Sequence, residues 1–256
     1  MSLILVSNDD GINANGVHAL IDTLLPFGEV FCVCPDAPRS GQSMAITVNG
    51  PLRATYLPDY HGAKMIKVDG TPVDCIKLSM HNLLPRRPDL IVSGINHGSN
   101  ASINILYSGT MGAAMEGCAF GVPSIGFSLT DYSPDADFSV CLPFVKKIVE
   151  WTLRNGLPEG ICLNVNIPDR PSLPEECRVV RACRGNWDDE YKVYTDPHGG
   201  KFYWLTGSFV NEEPESTDTD EYCLSHGIAS VVPTLLDRTA PIPAIPNIGQ
   251  LNGKIH

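Results

Sequence analysis

The chain is poor in positive charge. Its 18 Lys and Arg stand against 29 Asp and Glu, a net charge of -11 over 256 residues. A surface of that sign offers no footprint for a nucleic-acid polymer or an anionic membrane, so neither is expected as a partner. No apolar run approaches the roughly 18 residues of a membrane-crossing helix. The first residues show no basic segment leading into an apolar stretch and a small-residue cleavage site, so a cytoplasmic location is expected. Cys-x-x-Cys is absent. The nine cysteines are odd in number and sit mostly in apolar runs, where a thiol behaves as a small hydrophobe. This argues for a reducing compartment and against a zinc site or a disulfide framework. Gly-x-Gly-x-x-Gly is also missing after the first strand, which removes the dinucleotide fingerprint.

What is present is a recurring unit: a short buried run that ends abruptly in polar residues. Leu3–Val6 stops at Ser7-Asn8-Asp9-Asp10-Gly11, and Leu90–Val92 leads to Ser93-Gly94-Ile95-Asn96. Unbroken branched runs of this kind suit strands buried on both faces of a parallel sheet. Between them lie a helix from Asn15, with Asn15 as its cap, a strand over 29–34, a β-rich excursion over 44–69 and a helix started by Thr71-Pro72-Val73-Asp74. Further strands are read over 121–129 and 161–167, with an amphipathic helix over 138–153 whose face is Val140, Phe144, Ile148 and Trp151. The order predicts an α/β fold with a doubly wound, mostly parallel sheet in a single domain over 1–256. Its core spans about 1–168, and a hairpin and extended arm occupy about 169–256. In that second part Val179–Val180 and Phe202–Trp204 read as hairpin strands, 212–221 as a solvated acidic loop, and 228–232 as one more strand. The proline-rich tail 241–246, with Ile242 and Ile245, reads as an apolar arm that docks on another surface, a second subunit included.

Two adjacent carboxylates at a buried strand end are costly to desolvate without a cation. Ligands of open α/β sheets bind at that edge. Asp9 and Asp10 therefore fit a divalent cation, and they equally fit a solvated turn. Ser40, in the polar loop after the second strand, leaves the same edge and fits a plain surface loop as well. Ser108-Gly109-Thr110 opens a helix of small residues; its free N–H groups and hydroxyls make an anion site, or Ser108 is simply a cap. Asp74 reads as a capping residue. The donors gathered by Asp9, Asp10, Ser40 and Asn96 are all oxygens, which suit Mg²⁺, Mn²⁺ or Ca²⁺. A hard cation beside an anion-binding helix start points to metal-assisted phosphoester hydrolysis.

Five ordered motifs carry a resemblance. Ser7-Asn8-Asp9-Asp10-Gly11, Arg39-Ser40-Gly41-x-Ser43, Gly70-Thr71-Pro72-x-Asp74-Cys75, Ser93-Gly94-Ile95-Asn96-x-Gly98-x-Asn100 and Tyr107-Ser108-Gly109-Thr110-x-x-x-Ala114-x-Glu116-Gly117 together resemble the SurE (stationary-phase survival protein) nucleotidases. The match covers about the first half of the chain and continues more loosely to the strand near Gly227. The resemblance implies a phosphatase of nucleoside 5′- and 3′-monophosphates with one divalent metal per subunit, Mg²⁺ or Mn²⁺. It implies Asp9, Asp10, Ser40 and Asn96 as metal ligands, phosphate contacts from Asn100, Ser108, Gly109 and Thr110, and Asn8, Gly41 and Ser43 nearby. It also implies a Rossmann-like core and a homodimer or homotetramer built through the C-terminal arm.

The expected mechanism is direct attack by metal-activated water, with Asp9 taking its proton and Asn8 and Asn96 beside it. No His or Cys nucleophile occurs in the matched motifs. His97 departs from the family pattern and reads as a bystander, a substrate contact or an extra base. Two rivals stand beside this reading: a haloacid-dehalogenase-type phosphatase, which wants Asp-x-Asp after the first strand, and a nucleotide- or phosphate-binding sensor without turnover.

Overall fold

The computed structural model describes residues 1–171 and 176–240. Its elements follow from β1 (Ser2–Ser7), whose apolar stretch Leu3–Val6 is wholly buried. Alternate side chains of that strand feed two different cores, Ile4 and Val6 on one face and Leu5 on the other. Helix α1 (Asn15–Leu24) lays Val17, Leu20, Ile21 and Leu24 on the first core, a helical spacing that buries one stripe. Its cap is Ala14 rather than Asn15, and no side chain accepts there. The first turn instead closes on the Ala14 carbonyl, which accepts the Val17 and His18 N–H groups.

The chain continues through β2 (Gly28–Pro35), β3 (Ala54–Tyr60), β4 (Ala63–Val68) and α2 (Pro72–Leu78). Thr71 and Asp74 form a reciprocal capping box at the start of α2, so Asp74 is indeed a cap. After β5 (Leu90–His97) come α3 (Gly109–Ala119), β6 (Ser124–Leu129), α4 (Leu142–Asn155) and β7 (Ile161–Ile167). The buried stripe of α4 is Phe144, Val145, Ile148, Val149 and Thr152. Trp151 was expected on that stripe but lies at its margin, 52% exposed, and Val140 sits in a 3-10 turn before the helix.

Beyond residue 168 the chain forms β8 (Cys177–Val179), β9 (Gly185–Asp188), β10 (Tyr191–Thr195), β11 (Lys201–Leu205), β12 (Ser208–Asn211), α5 (Asp220–Ser225) and β13 (Ala229–Leu235). The main sheet has nine strands in the order β3-β4-β2-β1-β5-β6-β7-β13-β8. From β4 to β7 every neighbouring pair is parallel, while β3 and β13 join antiparallel to β4 and β7. The expected doubly wound sheet is therefore present, with α1 and α4 on one face and α2 and α3 on the other.

Two expectations for the second part differ from the structure. Val179 belongs to β8, which pairs with β13 in the main sheet, and is not part of a hairpin. The acidic loop over 212–221 is not merely solvated: Glu213 and Asp218 bracket Arg181, and Asp220 is fully buried. Charge density in the sequence does not reveal a cation 32 to 37 residues away, or backbone amides as far as 118 residues away. Among the described residues no helix is long and apolar enough to cross a membrane. The tail over 241–246 lies outside the described residues.

Candidate active site

The carboxyl ends of β1 and β5 lie side by side in the sheet, which brings Asp9 and Asp10 next to Asn96 and His97. Asp9 is only 4% exposed, and its carboxylate accepts the Thr110 hydroxyl in a short hydrogen bond. The same hydroxyl lies 3.2 Å from Asn96 Oδ1. Asn96 Nδ2 donates to the Gly98 carbonyl at 2.7 Å, which fixes the amide with its oxygen toward Thr110. Asp10 Oδ2 accepts the His97 N–H at 3.1 Å. The Arg39 N–H donates to the Asp9 carbonyl at 2.7 Å and so brings Ser40 to the same strand end. Asp9, Ser40 and Asn96 line one cleft of about 660 Å³, and Asp10 stands one residue along from Asp9.

Helix α3 approaches this point so closely that its start must be glycine. A Cβ on Gly109 would stand 2.8 Å from the Asp9 Cβ, and one on Gly112 would overlap the Ser43 carbonyl. Ser108 caps the helix by accepting the Met111 N–H at 3.0 Å and still borders the cleft. The cap reading and the cleft position thus hold together for this residue.

Burial is the leading influence on both acids. It pushes the Asp9 carboxyl up to about 6 against the Thr110 hydrogen bond, and the neighbouring Asp10 charge pushes the same way. Asp10 is raised by burial too, opposed by the His97 N–H. Neither has a Lys or Arg partner among the described residues. Two uncompensated carboxylates beside a hydroxyl and an amide oxygen form an all-oxygen donor set suited to a hard divalent cation. Among the described residues no cluster of three His, Cys, Asp or Glu side chains occurs, so a softer nitrogen or sulfur site is not built here.

The other expected residues fall into two groups. Gly41, Asn100 and Ser108 line the cleft with Asp9, Ser40 and Asn96. Gly109 and Thr110 stand directly behind Asp9 rather than in the lining. Asn8 is fully buried and braces the following turn by donating to the Gly11 carbonyl at 3.1 Å, and its Oδ1 has no partner among the described residues. Ser43 packs against the α3 entry, donating its N–H to the Tyr107 carbonyl at 3.1 Å. His97 meets the Ser133 carbonyl through Nε2, while its backbone N–H donates to Asp10.

The sequence points to the loops over 48–69 and the arm after Pro168 for base contacts but to no individual residue of the far wall, and the cleft is lined from the arm and not from 48–69. The far wall consists of Tyr132, Trp187, Glu190, Tyr191, Leu205 and Thr206. Trp187 is held by its Nε1–H, which donates to Asn104 Oδ1 at 2.8 Å. The one signal available was compositional: two of the chain's three tryptophans lie between 187 and 204. Asp220 ties this second half to the cleft loop, accepting the Ser102 N–H at 2.8 Å and the Cys183 N–H at 2.7 Å.

Comparison with known proteins bears on this arrangement. The family model described as survival protein SurE matches residues 4–189. A 5′-nucleotidase SurE of Phocaeicola vulgatus is 49% identical over 238 residues, covering 93% of this chain and 92% of that protein. The 5′-nucleotidase SurE of Bacteroides fragilis is 46% identical over 238 residues, with 93% of each chain covered. The crystal structure of the SurE protein from Aquifex aeolicus superimposes with a TM-score of 0.84 at 34% identity, covering 98% of this chain and all of that one. On family model, sequence and fold alike, the chain belongs to the SurE survival-protein family.

Proposed function

We propose that this protein is a phosphomonoesterase that hydrolyses nucleoside 5′-monophosphates, and 3′-monophosphates as well, with one divalent cation per subunit, Mg²⁺ or Mn²⁺. The observation that carries the reading is the buried Asp9, which lines a cleft beside the first turn of α3, with half-buried Asp10 next to it and no Lys or Arg paired to either among the described residues. The nucleotidase names of close relatives support the same reaction class. Asp9, Asp10, Ser40 and Asn96 would hold the cation, which supplies neutralisation of phosphoryl charge and acidification of water when bound.

The chain's own groups do the rest. Asn100 and Ser108 seat the phosphate at the helix start, where the dipole favours an anion. Asp9, oriented by the Thr110 hydroxyl, accepts the proton of the attacking water. The water oxygen attacks phosphorus, the ester P–O bond breaks, and the nucleoside oxygen leaves with the proton that Asp9 took from the water. Trp187, Tyr191 and Tyr132 offer flat faces to the base. The exposed aromatic hairpin β10–β11, with Tyr203, Trp204 and Leu205 each 64% exposed, supports self-association as a homodimer or homotetramer.

Incubation with 5′-AMP, 5′-GMP and 3′-AMP in Mn²⁺ or Mg²⁺ tests the reading. Release of inorganic phosphate that stops on chelation is expected. No release from any nucleotide with either cation would overturn it in favour of a binding protein. A trapped phosphoenzyme would replace direct water attack with an aspartyl-phosphate route.

A further inference from the structure

Strand β7 reads Ile-Cys-Leu-Asn-Val-Asn-Ile, and it runs between β6 and β13 inside the sheet. Asn164 and Asn166, two residues apart, project from the same face. They are 2% and 0% exposed. A buried amide is costly unless its donors and acceptor are all used, so two of them in an apolar strand call for a specific partner.

That partner is Asn100. Its backbone N–H donates to Asn166 Oδ1 at 2.8 Å. Asn166 Nδ2 donates to Asn164 Oδ1 at 3.0 Å, and Asn164 Nδ2 donates to the Asn100 carbonyl at 2.9 Å. The three bonds form a closed ring. Because a backbone N–H can only donate and a carbonyl can only accept, the ring also fixes which end of each amide is oxygen. The Asn100 side chain completes the anchorage, its Nδ2 lying 2.8 Å from Ser128 Oγ. A hydroxyl both donates and accepts, so the Asn100 amide can present either end to the cleft on the same partner.

The register explains why this matters for the site. Asn96, Ser128 and Asn166 are opposite one another across β5, β6 and β7. The loop residue Asn100 is thereby referenced to the same row of the sheet as Asn96, one of the proposed cation ligands. No strand partner is available to a loop peptide at this place, and the two amides substitute for one.

We propose that Asn164 and Asn166 are positioning residues for phosphate. They clamp the Asn100 peptide to the sheet, so that its side chain meets the phosphoryl group at a fixed distance from Asn96 and Ser108. The inference rests on the phosphomonoesterase reading above. Neither residue borders the cleft itself, so both act through Asn100.

The test uses the full-length, Mn²⁺-loaded protein and two probes, a nucleoside 5′-monophosphate for turnover and inorganic phosphate for binding by calorimetry. Asn166→Ala is expected to weaken phosphate binding and raise KM by roughly tenfold or more, with a smaller loss in kcat. Asn164→Ala should behave alike. In a double-mutant cycle, Asn166→Ala combined with Asn100→Ala should cost clearly less than the product of the two separate losses. Ser230→Ala alters a buried hydroxyl opposite Asn166 that has no hydrogen-bond partner among the described residues, and should leave KM and phosphate binding unchanged. If Asn166→Ala does not fold, Asn166→Ser, which keeps an acceptor at that position, carries the same measurements and should show a partial loss. Wild-type phosphate affinity and KM in a folded Asn166 variant, or fully multiplicative losses in the cycle, would overturn the clamp while leaving the hydrolase reading intact. A wild-type protein that neither binds phosphate nor releases it would remove the hydrolase reading first.

Discussion

The two walls of the cleft are built differently. The near wall comes from the ends of β1 and β5 and the start of α3, where Asp9, Asn96 and Thr110 are nearly or wholly buried and bonded to one another. The far wall comes from the β9–β11 segment together with Tyr132 from the loop after β6, and its Tyr191 and Leu205 are more than half exposed. The near wall fixes a few polar atoms against the core; the far wall presents broad aromatic surface on a segment with little core of its own. Chemistry needs the first kind of construction, because charge and orientation must be set before substrate arrives. In the proposed function, retention of the nucleoside falls to the second.

Substitutions can break the two walls separately. Asp9→Asn on the near wall is expected to lower kcat by about 10²–10⁴-fold with the fold retained, measured as phosphate release alongside circular dichroism. Normal turnover would remove Asp9 from the proton-accepting role. Thr110→Val keeps the volume and deletes the hydroxyl shared by Asp9 and Asn96. A loss of about 10- to 100-fold in activity or cation affinity is expected, as for other groups that orient ligands.

On the far wall, Trp187→Ala should raise KM for nucleotides by an amount matching roughly 1–3 kcal/mol of base stacking. Turnover of a small phosphate monoester without a base should be untouched. Equal loss on both substrates would mean that Trp187 acts by holding Asn104 rather than the base.

The smallest effect concerns α5, which packs against β13 and β7. Glu221 on α5 has its carboxyl raised to about 7, by burial first and by the Asp220 charge second. A carboxyl raised in the folded state binds its proton more tightly there than in the unfolded chain. Its contribution is full below the unfolded value near 4.5 and is lost as pH rises through about 7. Glu221→Gln should flatten that dependence and stabilise the protein at pH 8 by roughly 1–2 kcal/mol, after discounting for partial exposure, as read by denaturant unfolding.

The same contrast governs what the sequence made legible. The near wall was readable because its residues follow buried runs at strand ends: Leu3–Val6 before Asp9 and Asp10, and Leu90–Val92 before Asn96. A strand cannot end that way without placing the polar residues at one edge of the sheet. Ser108 and Thr71 were readable as caps because capping is local. Asn8 was not placed correctly by motif alone, since whether a buried amide faces a cleft or braces its own turn depends on the loop path. Trp187 and Tyr191 carried no periodicity to place them, and Asp220 stood in an acidic run that looked solvated. Its partners, the Ser102 and Cys183 amides, lie 118 and 37 residues away.

The central claim is that four oxygen-bearing side chains converge on a single hard cation at the edge of the sheet. Crystals grown with MnCl₂ and recorded at the manganese absorption edge test it most directly. One anomalous peak per subunit within bonding distance of Asp9, Asp10, Ser40 and Asn96 is predicted. A manganese peak elsewhere, or a chelator-insensitive enzyme with no peak at this place, would contradict it.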